Sequence, residues 1–198
     1  MDKLFAAGAR VAFIGDSITH NGRAVAYIQD YYRTHFPERE VRIYNHGIAG
    51  DTAAGASCRL DEVMSVQPTE AVVMFGVNDM GVGYYERETP SEEHLRSTHR
   101  PFFETVRKMQ PELPIILMTH VWSFEDRETD FNRVKIVKET YDAAIAAGDK
   151  NVYFIDGSNF FRGQMRDLCT VDALHPNDLG QFIMAKEVYK TLAMALKR

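Results

Sequence analysis

Two cysteines, Cys58 and Cys169, are all that this chain of 198 residues contains, and they stand far apart with no CxxC or other metal-ligand spacing. A disulfide framework has no support, and free thiols in a reducing compartment are expected. Positive charge is also in short supply: 23 Lys and Arg face 28 Asp and Glu, for a formal net charge of −5. No basic stripe is present to track a phosphate backbone, so nucleic acid is not an expected partner. Long apolar runs are missing too. Nothing approaches the roughly 20 residues of a membrane helix, so no membrane association is expected. The start, MDKLFAAGARVAFIGD, lacks a sustained apolar core and flows directly into a strand-like run. No signal peptide is read there, and a cytoplasmic location is expected. Internal repeats, low-complexity tracts and linkers are likewise lacking, which points to one domain over residues 1–198.

What the chain does have is a 45% hydrophobic content, ample for a core between layers. Short apolar, β-branched runs recur at VAFIG (11–15), VRIYN (41–45), AVVMFG (71–76), PIILMTH (114–120) and NVYFID (151–156). Each is the length of a strand and too short for a helix core. Between them lie stretches with helical spacing at 23–36, 54–66, 91–109 and 131–148, and another closes the chain at 177–198. Pro101 falls inside the third, where it starts a new helix or kinks the old one. Strict alternation of nearly continuous apolar strands with helices predicts a parallel sheet covered on both faces. The expected fold is a three-layer α/β/α, flavodoxin-like, doubly wound domain with a five-stranded parallel sheet. The longest irregular pieces, 77–90, 120–130 and 157–176, each follow a predicted strand and so project from the carboxyl edge of that sheet. In open α/β sheets ligands bind at that edge.

Four motifs share it: GDSIT at 15–19, NHGIAGDT at 45–52, FGVNDM at 75–80 and VDALHPNDLG at 171–180. A serine hydroxyl is a poor nucleophile at neutral pH, so it needs a base to take its proton and a third group to hold that base in the right tautomer. Ser17, His175 and Asp172 fit those roles. An Asp three residues before the His can fold back to Nδ1 while Nε2 faces the serine, and Pro176 restrains His175 to extended backbone. Attack on an ester carbonyl builds negative charge on oxygen, which calls for fixed donors. The backbone N–H groups of Ser17 and Gly50 and the side-chain amide of Asn78 are available. A glycine at position 50 lets the main chain approach a ligand closely or take φ > 0.

With these blocks in this order, the sequence resembles the GDSL or SGNH hydrolase family of serine esterases and acyl hydrolases. The resemblance places the nucleophile at Ser17, the oxyanion-hole glycine at Gly50, the oxyanion-hole asparagine at Asn78, and the Asp and His of the last block at Asp172 and His175. The first block reads GDSI where the family name has GDSL. Around His175 the chain is most similar to the branch linked to carbohydrate esterases, in which a glycine is commoner than Ala173 or Leu174. The resemblance implies hydrolysis of a small ester, of acetyl or short-chain type, with an acetylated carbohydrate as the suggested substrate and no cofactor. Acyl thioesters and lysophospholipids are alternatives for the same site.

Other residues near that edge read differently. Asp16 and Asp79 are expected to tie loops through backbone N–H groups. His20, His46 and His120 follow predicted strand ends, but without HxH or HExxH spacing they are read as pocket-lining or solvated residues, and no metal site is expected. Tyr84, Tyr85, Trp122 and Phe124 are edge-loop aromatics and candidates for a substrate wall. Met74, Met118 and Met184 read as core filler. Two remoter readings compete. GDSITHNG loosely resembles the opening of metal-dependent phosphoesterases, although NHG at 45–47 lacks the acid of their second block. A non-catalytic binding domain on the same scaffold is the other, and the intact set of Ser17, Asn78, Asp172 and His175 argues against it.

Overall fold

A computed structural model describes residues 5–80, 91–121, 127–161 and 165–195. Five strands, β1 (Arg10–Gly15), β2 (Arg42–Gly47), β3 (Glu70–Met74), β4 (Ile115–Met118) and β5 (Val152–Ile155), form one sheet in the order β2-β1-β3-β4-β5. Every pairing is parallel. The expected flavodoxin-like topology is therefore present, with the first three strands as neighbours at its centre and one edge.

Alternate side chains along the strands serve two cores, as the pleat requires. Val11, Phe13, Val72, Met74, Ile116, Met118 and Ile155 face one side, where they meet Val25 and Ile28 of helix α2 (Arg23–His35) and Val188 and Leu192 of helix α8 (Asp178–Ala195). Ala12, Ile14, Val73, Ile115 and Leu117 face the other side. There they pack against Leu60 and Val63 of α4 (Leu60–Ser65), Phe102 and Val106 of α5 (Glu92–Met109) and Val137 of α6 (Arg127–Ala146). Met74, Met118 and Met184 are core filler, each 2–3% exposed.

Three local expectations are corrected. Residues 54–66 are two short helices, α3 (Ala53–Ser57) and α4, because Arg59 leaves helical geometry at φ −119°, ψ 15° and turns its guanidinium to Asp51. Pro101 starts no new helix: α5 runs through it, with the proline exposed and Ser91 capping the amide of His94. Strand β2 lies further along than 41–45, so His46 is within the strand rather than beyond its end. Two more short helices, α1 (Ser17–His20) and α7 (Met165–Cys169), sit in the carboxyl-edge loops. Cys58 and Cys169 are free thiols. Among the described residues no helix is long and apolar enough to cross a membrane.

Candidate active site

Strand β1 ends in a turn that only its own residues allow. A side chain at Gly15 would meet Thr19 Oγ1 at 2.3 Å and the carbonyl oxygen of Met74 at 2.8 Å, so the chain passes directly from strand into α1. Asp16 is the N-cap of that helix: the Ile18 amide donates to its Oδ1 at 3.0 Å. Ser17 is consequently the first helical residue, half-buried and lifted to the sheet edge. Its Oγ lies 2.9 Å from His175 Nε2.

The loop carrying His175 is folded by its aspartate. Asp172 Oδ1 accepts from the amides of Leu174 at 3.1 Å and His175 at 2.6 Å, while Oδ2 takes His175 Nδ1 at 2.6 Å. The ring is thus gripped by the same side chain that bends its backbone. An antiparallel bridge between Thr170 and Pro176 and a bond from the Val171 amide to the His175 carbonyl close the loop. Partial desolvation acts to raise the Asp172 pKa, but the bonds from the His175 amide, the His175 ring and the Leu174 amide outweigh it and hold the carboxylate below its usual range. That state accepts the Nδ1 proton and leaves Nε2 to face the serine.

After β2 the chain folds back over the end of β1. The Ile48 amide donates to the Gly15 carbonyl at 3.0 Å, and the Asp51 amide to the Ile48 carbonyl at 3.1 Å. Gly50 sits at φ +79°, the left-handed region that the sequence reading of this glycine anticipates. After β3, Asn78 Nδ2 donates to the Asp51 carbonyl at 2.8 Å, which brings its amide beside the Gly50–Asp51 turn. One Nδ2 proton is engaged there, which leaves the second available as a donor. Asp79 anchors the loop from below: its Oδ1 accepts from the Ala53 amide at 3.0 Å and the Thr98 hydroxyl at 3.3 Å. Burial raises its pKa above the ordinary value.

Asp16 and Asp79 are therefore the structural acceptors expected of them. Asp16 is fully buried, and its Oδ2 meets no donor among the described residues. Burial pushes its pKa up to about 7 against the Ile18 bond, the charges of Asp79 and Asp51 add to the rise, and His175 opposes it. Groups from three of the edge loops, Asp51, Asp79 and His175, act on this one carboxyl. His20, His46 and His120 do not converge. His20 is exposed with Nδ1 3.1 Å from the Gly47 carbonyl oxygen, His46 stacks on Tyr44 with its pKa lowered by burial and by Arg59, and His120 is buried after β4. Among the described residues no cluster of three or more His, Cys, Asp or Glu can hold a metal ion. Tyr84, Tyr85, Trp122 and Phe124 lie outside the described residues.

Sequence reasoning passed over Asp51 and Arg59, and also Gln181, whose amide bridges the Ile18 carbonyl and the Ala24 amide at 3.1 Å each. Asp51 stood within a quoted motif. Arg59 and Gln181 carried no signal, being common polar residues, one in the turn before α4 and one on α8.

A profile of the GDSL-like lipase/acylhydrolase family matches residues 13–182. An acetylxylan esterase of Geobacillus stearothermophilus is 28% identical over 209 residues, covering 90% of this chain and 91% of that one. A solved acetylxylan esterase of Geobacillus stearothermophilus superposes with a TM-score of 0.76 at 22% identity, over 96% of both chains. A gut microbial diltiazem-metabolizing enzyme matches with a TM-score of 0.75 and 29% identity over 96% of this chain, which spans only 48% of that protein's length. With the matched profile extending from β1 into α8 and the four blocks in place, this chain belongs to the GDSL-like lipase/acylhydrolase family.

Proposed function

We propose that this protein is a serine esterase that removes acetyl or other short acyl groups from a small ester, with a carbohydrate as the alcohol, through an acyl-enzyme on Ser17. The observation that carries the reading is the unbroken line Asp172 Oδ2, His175 Nδ1, His175 Nε2, Ser17 Oγ, with links of 2.6 and 2.9 Å. In the first half-reaction Ser17 Oγ bonds to the carbonyl carbon as His175 takes the hydroxyl proton. The oxyanion forms facing the Ser17 and Gly50 amides and the free Nδ2 proton of Asn78. The bond to the alcohol oxygen then breaks, and His175 returns the proton to that leaving group. Water repeats the sequence, giving its proton to His175 and releasing the carboxylic acid and Ser17. Likeness to an acetylxylan esterase over nine-tenths of the chain supports acetyl as the acyl group and an acetylated sugar as substrate.

The test is direct. Acetate release from acetylated xylooligosaccharides is followed beside a series of p-nitrophenyl esters of rising chain length, for the native protein and for Ser17→Ala. Loss of roughly 10³-fold or more in kcat is expected for a triad nucleophile removed. Retention of turnover by folded Ser17→Ala ends the proposal. An organophosphonate adduct should map to the peptide containing Ser17, and EDTA should leave the rate unchanged. A rate lost on chelation and restored by a divalent ion favours the phosphoesterase reading instead. A preference for long-chain or thioester substrates would keep the mechanism and replace the substrate.

A further inference from the structure

Behind the proposed oxyanion hole lies an ion pair that the reaction does not touch. Arg59 presents Nε at 3.1 Å and Nη2 at 2.5 Å to a single oxygen, Oδ2 of Asp51. Both side chains are largely withdrawn from water, at 17% and 9% exposure. The other oxygen, Oδ1, accepts from the Thr52 amide at 2.9 Å. Gly55 leaves room for it: a side chain there would lie 2.2 Å from Oδ1. The main chain of Asp51 is held as firmly, its amide on the Ile48 carbonyl at 3.1 Å and its own carbonyl on Asn78 Nδ2 at 2.8 Å. One residue thus joins the Gly50 turn to the Asn78 amide, and Arg59 is its side-chain anchor.

The interruption between α3 and α4 has a purpose in this arrangement. A continuous helix over 54–66 would keep Arg59 helical, whereas the break at φ −119° brings its guanidinium onto Asp51. A largely buried carboxylate without its cation would turn toward water, and the peptide that holds Asn78 would turn with it. A 1 Å displacement of a catalytic group is enough to cost about 10²-fold in rate. We infer that Arg59 is a positioning residue for the oxyanion hole, acting through Asp51 on the side-chain amide of Asn78. The inference rests on the serine esterase reading.

The experiment is a double-mutant cycle on p-nitrophenyl acetate, with Ser17→Ala as a separate control. Arg59→Met should lower kcat by about 10- to 100-fold while KM stays within about twofold, since the lost interaction forms with the oxyanion and not with the ground state. Organophosphonate labelling of Ser17 should slow in step. In the Asn78→Ala background the same substitution should cost less than about threefold, because the group it positions is already gone. An unchanged kcat in Arg59→Met, or an equal loss in both backgrounds, overturns the inference. Should Arg59→Met melt below the assay temperature, Asp51→Asn takes its place in the cycle, since it keeps the main-chain acceptor and removes the charge. Failure of the underlying reading shows separately, as turnover retained by Ser17→Ala.

Discussion

At Ala173 the backbone takes φ +66°, a left-handed conformation that costs an L-residue roughly 1–2 kcal/mol. The strain sits inside the loop by which Asp172 Oδ1 gathers the Leu174 and His175 amides, so those bonds hold it in place. Ala173→Gly should stabilise the fold by about 0.5–1 kcal/mol, the relief of strain less the added freedom of the unfolded chain. A thermal scan should show a rise of about 1–3 °C with turnover unchanged. A lower melting temperature would mean that the Ala173 methyl packs more profitably than its backbone suffers. Asn78 gives a sharper case. Asn78→Ala should lower kcat by about 10²- to 10³-fold with little change in KM, and Asn78→Asp should do at least as much harm by placing a charge against the oxyanion. A raised KM at constant kcat would make Asn78 a ground-state binder. Ser17, Gly50, Asn78, Asp172 and His175 were legible in the sequence because each stands in a short local pattern. Arg59 was not, because its meaning comes from an ion pair with Asp51, eight residues back on the far side of α3.

Helices and strands were read from period, and period survives wherever an element buries one continuous face. All five strands and the helices at 23–35 and 92–109 emerged close to their expected bounds for that reason. Period says nothing of a break between two helices that share a face, which hid the division of 53–65 into α3 and α4. Nor does it show how one element caps another. Helix α2 begins at a Gly22 N-cap that offers no side-chain acceptor, and the orphan amide of Ala24 is met by Gln181 of α8. The same side chain donates to the Ile18 carbonyl of α1, so one amide ties the helix bearing Ser17 to the helix that follows His175. Gln181 is 1% exposed. Gln181→Met keeps the volume but leaves a buried donor and a buried acceptor unpaired, at about 1–3 kcal/mol each. A melting temperature lower by about 5 °C or more is expected, with turnover falling as α1 loosens from α8. A variant as stable as the parent would show that water reaches both groups.

The whole molecule buries several titratable groups, and their protons govern how its stability depends on pH. Burial raises the carboxyls of Asp16, Glu70 and Asp79 above their ordinary values, and lowers the imidazoles of His46 and His99, the latter to about 4. For a raised carboxyl the folded state binds the proton more tightly, so its contribution is full below the unfolded pKa and is lost as pH rises through the folded value. For a lowered imidazole the unfolded state binds more protons, so stability grows as pH rises from about 4 toward 6.5. The slopes oppose each other in mildly acid solution. Above it Asp16, raised to about 7, continues to lose its proton into a site where Oδ2 has no donor among the described residues and Asp79 and Asp51 repel the new charge. Asp16→Asn isolates this effect, since its amide oxygen keeps the Ile18 cap while its nitrogen mimics the protonated acid. Urea unfolding at pH 4 should find the two proteins within about 0.5 kcal/mol of each other. At pH 8 the variant should be more stable by about 2–4 kcal/mol, at roughly 1.4 kcal/mol for each unit by which the pKa is raised. A constant difference across that range would mean that Asp16 stays in one protonation state throughout. A variant that loses ground as pH rises would reverse the sign and show that the ionised form of Asp16 stabilises the turn carrying Ser17.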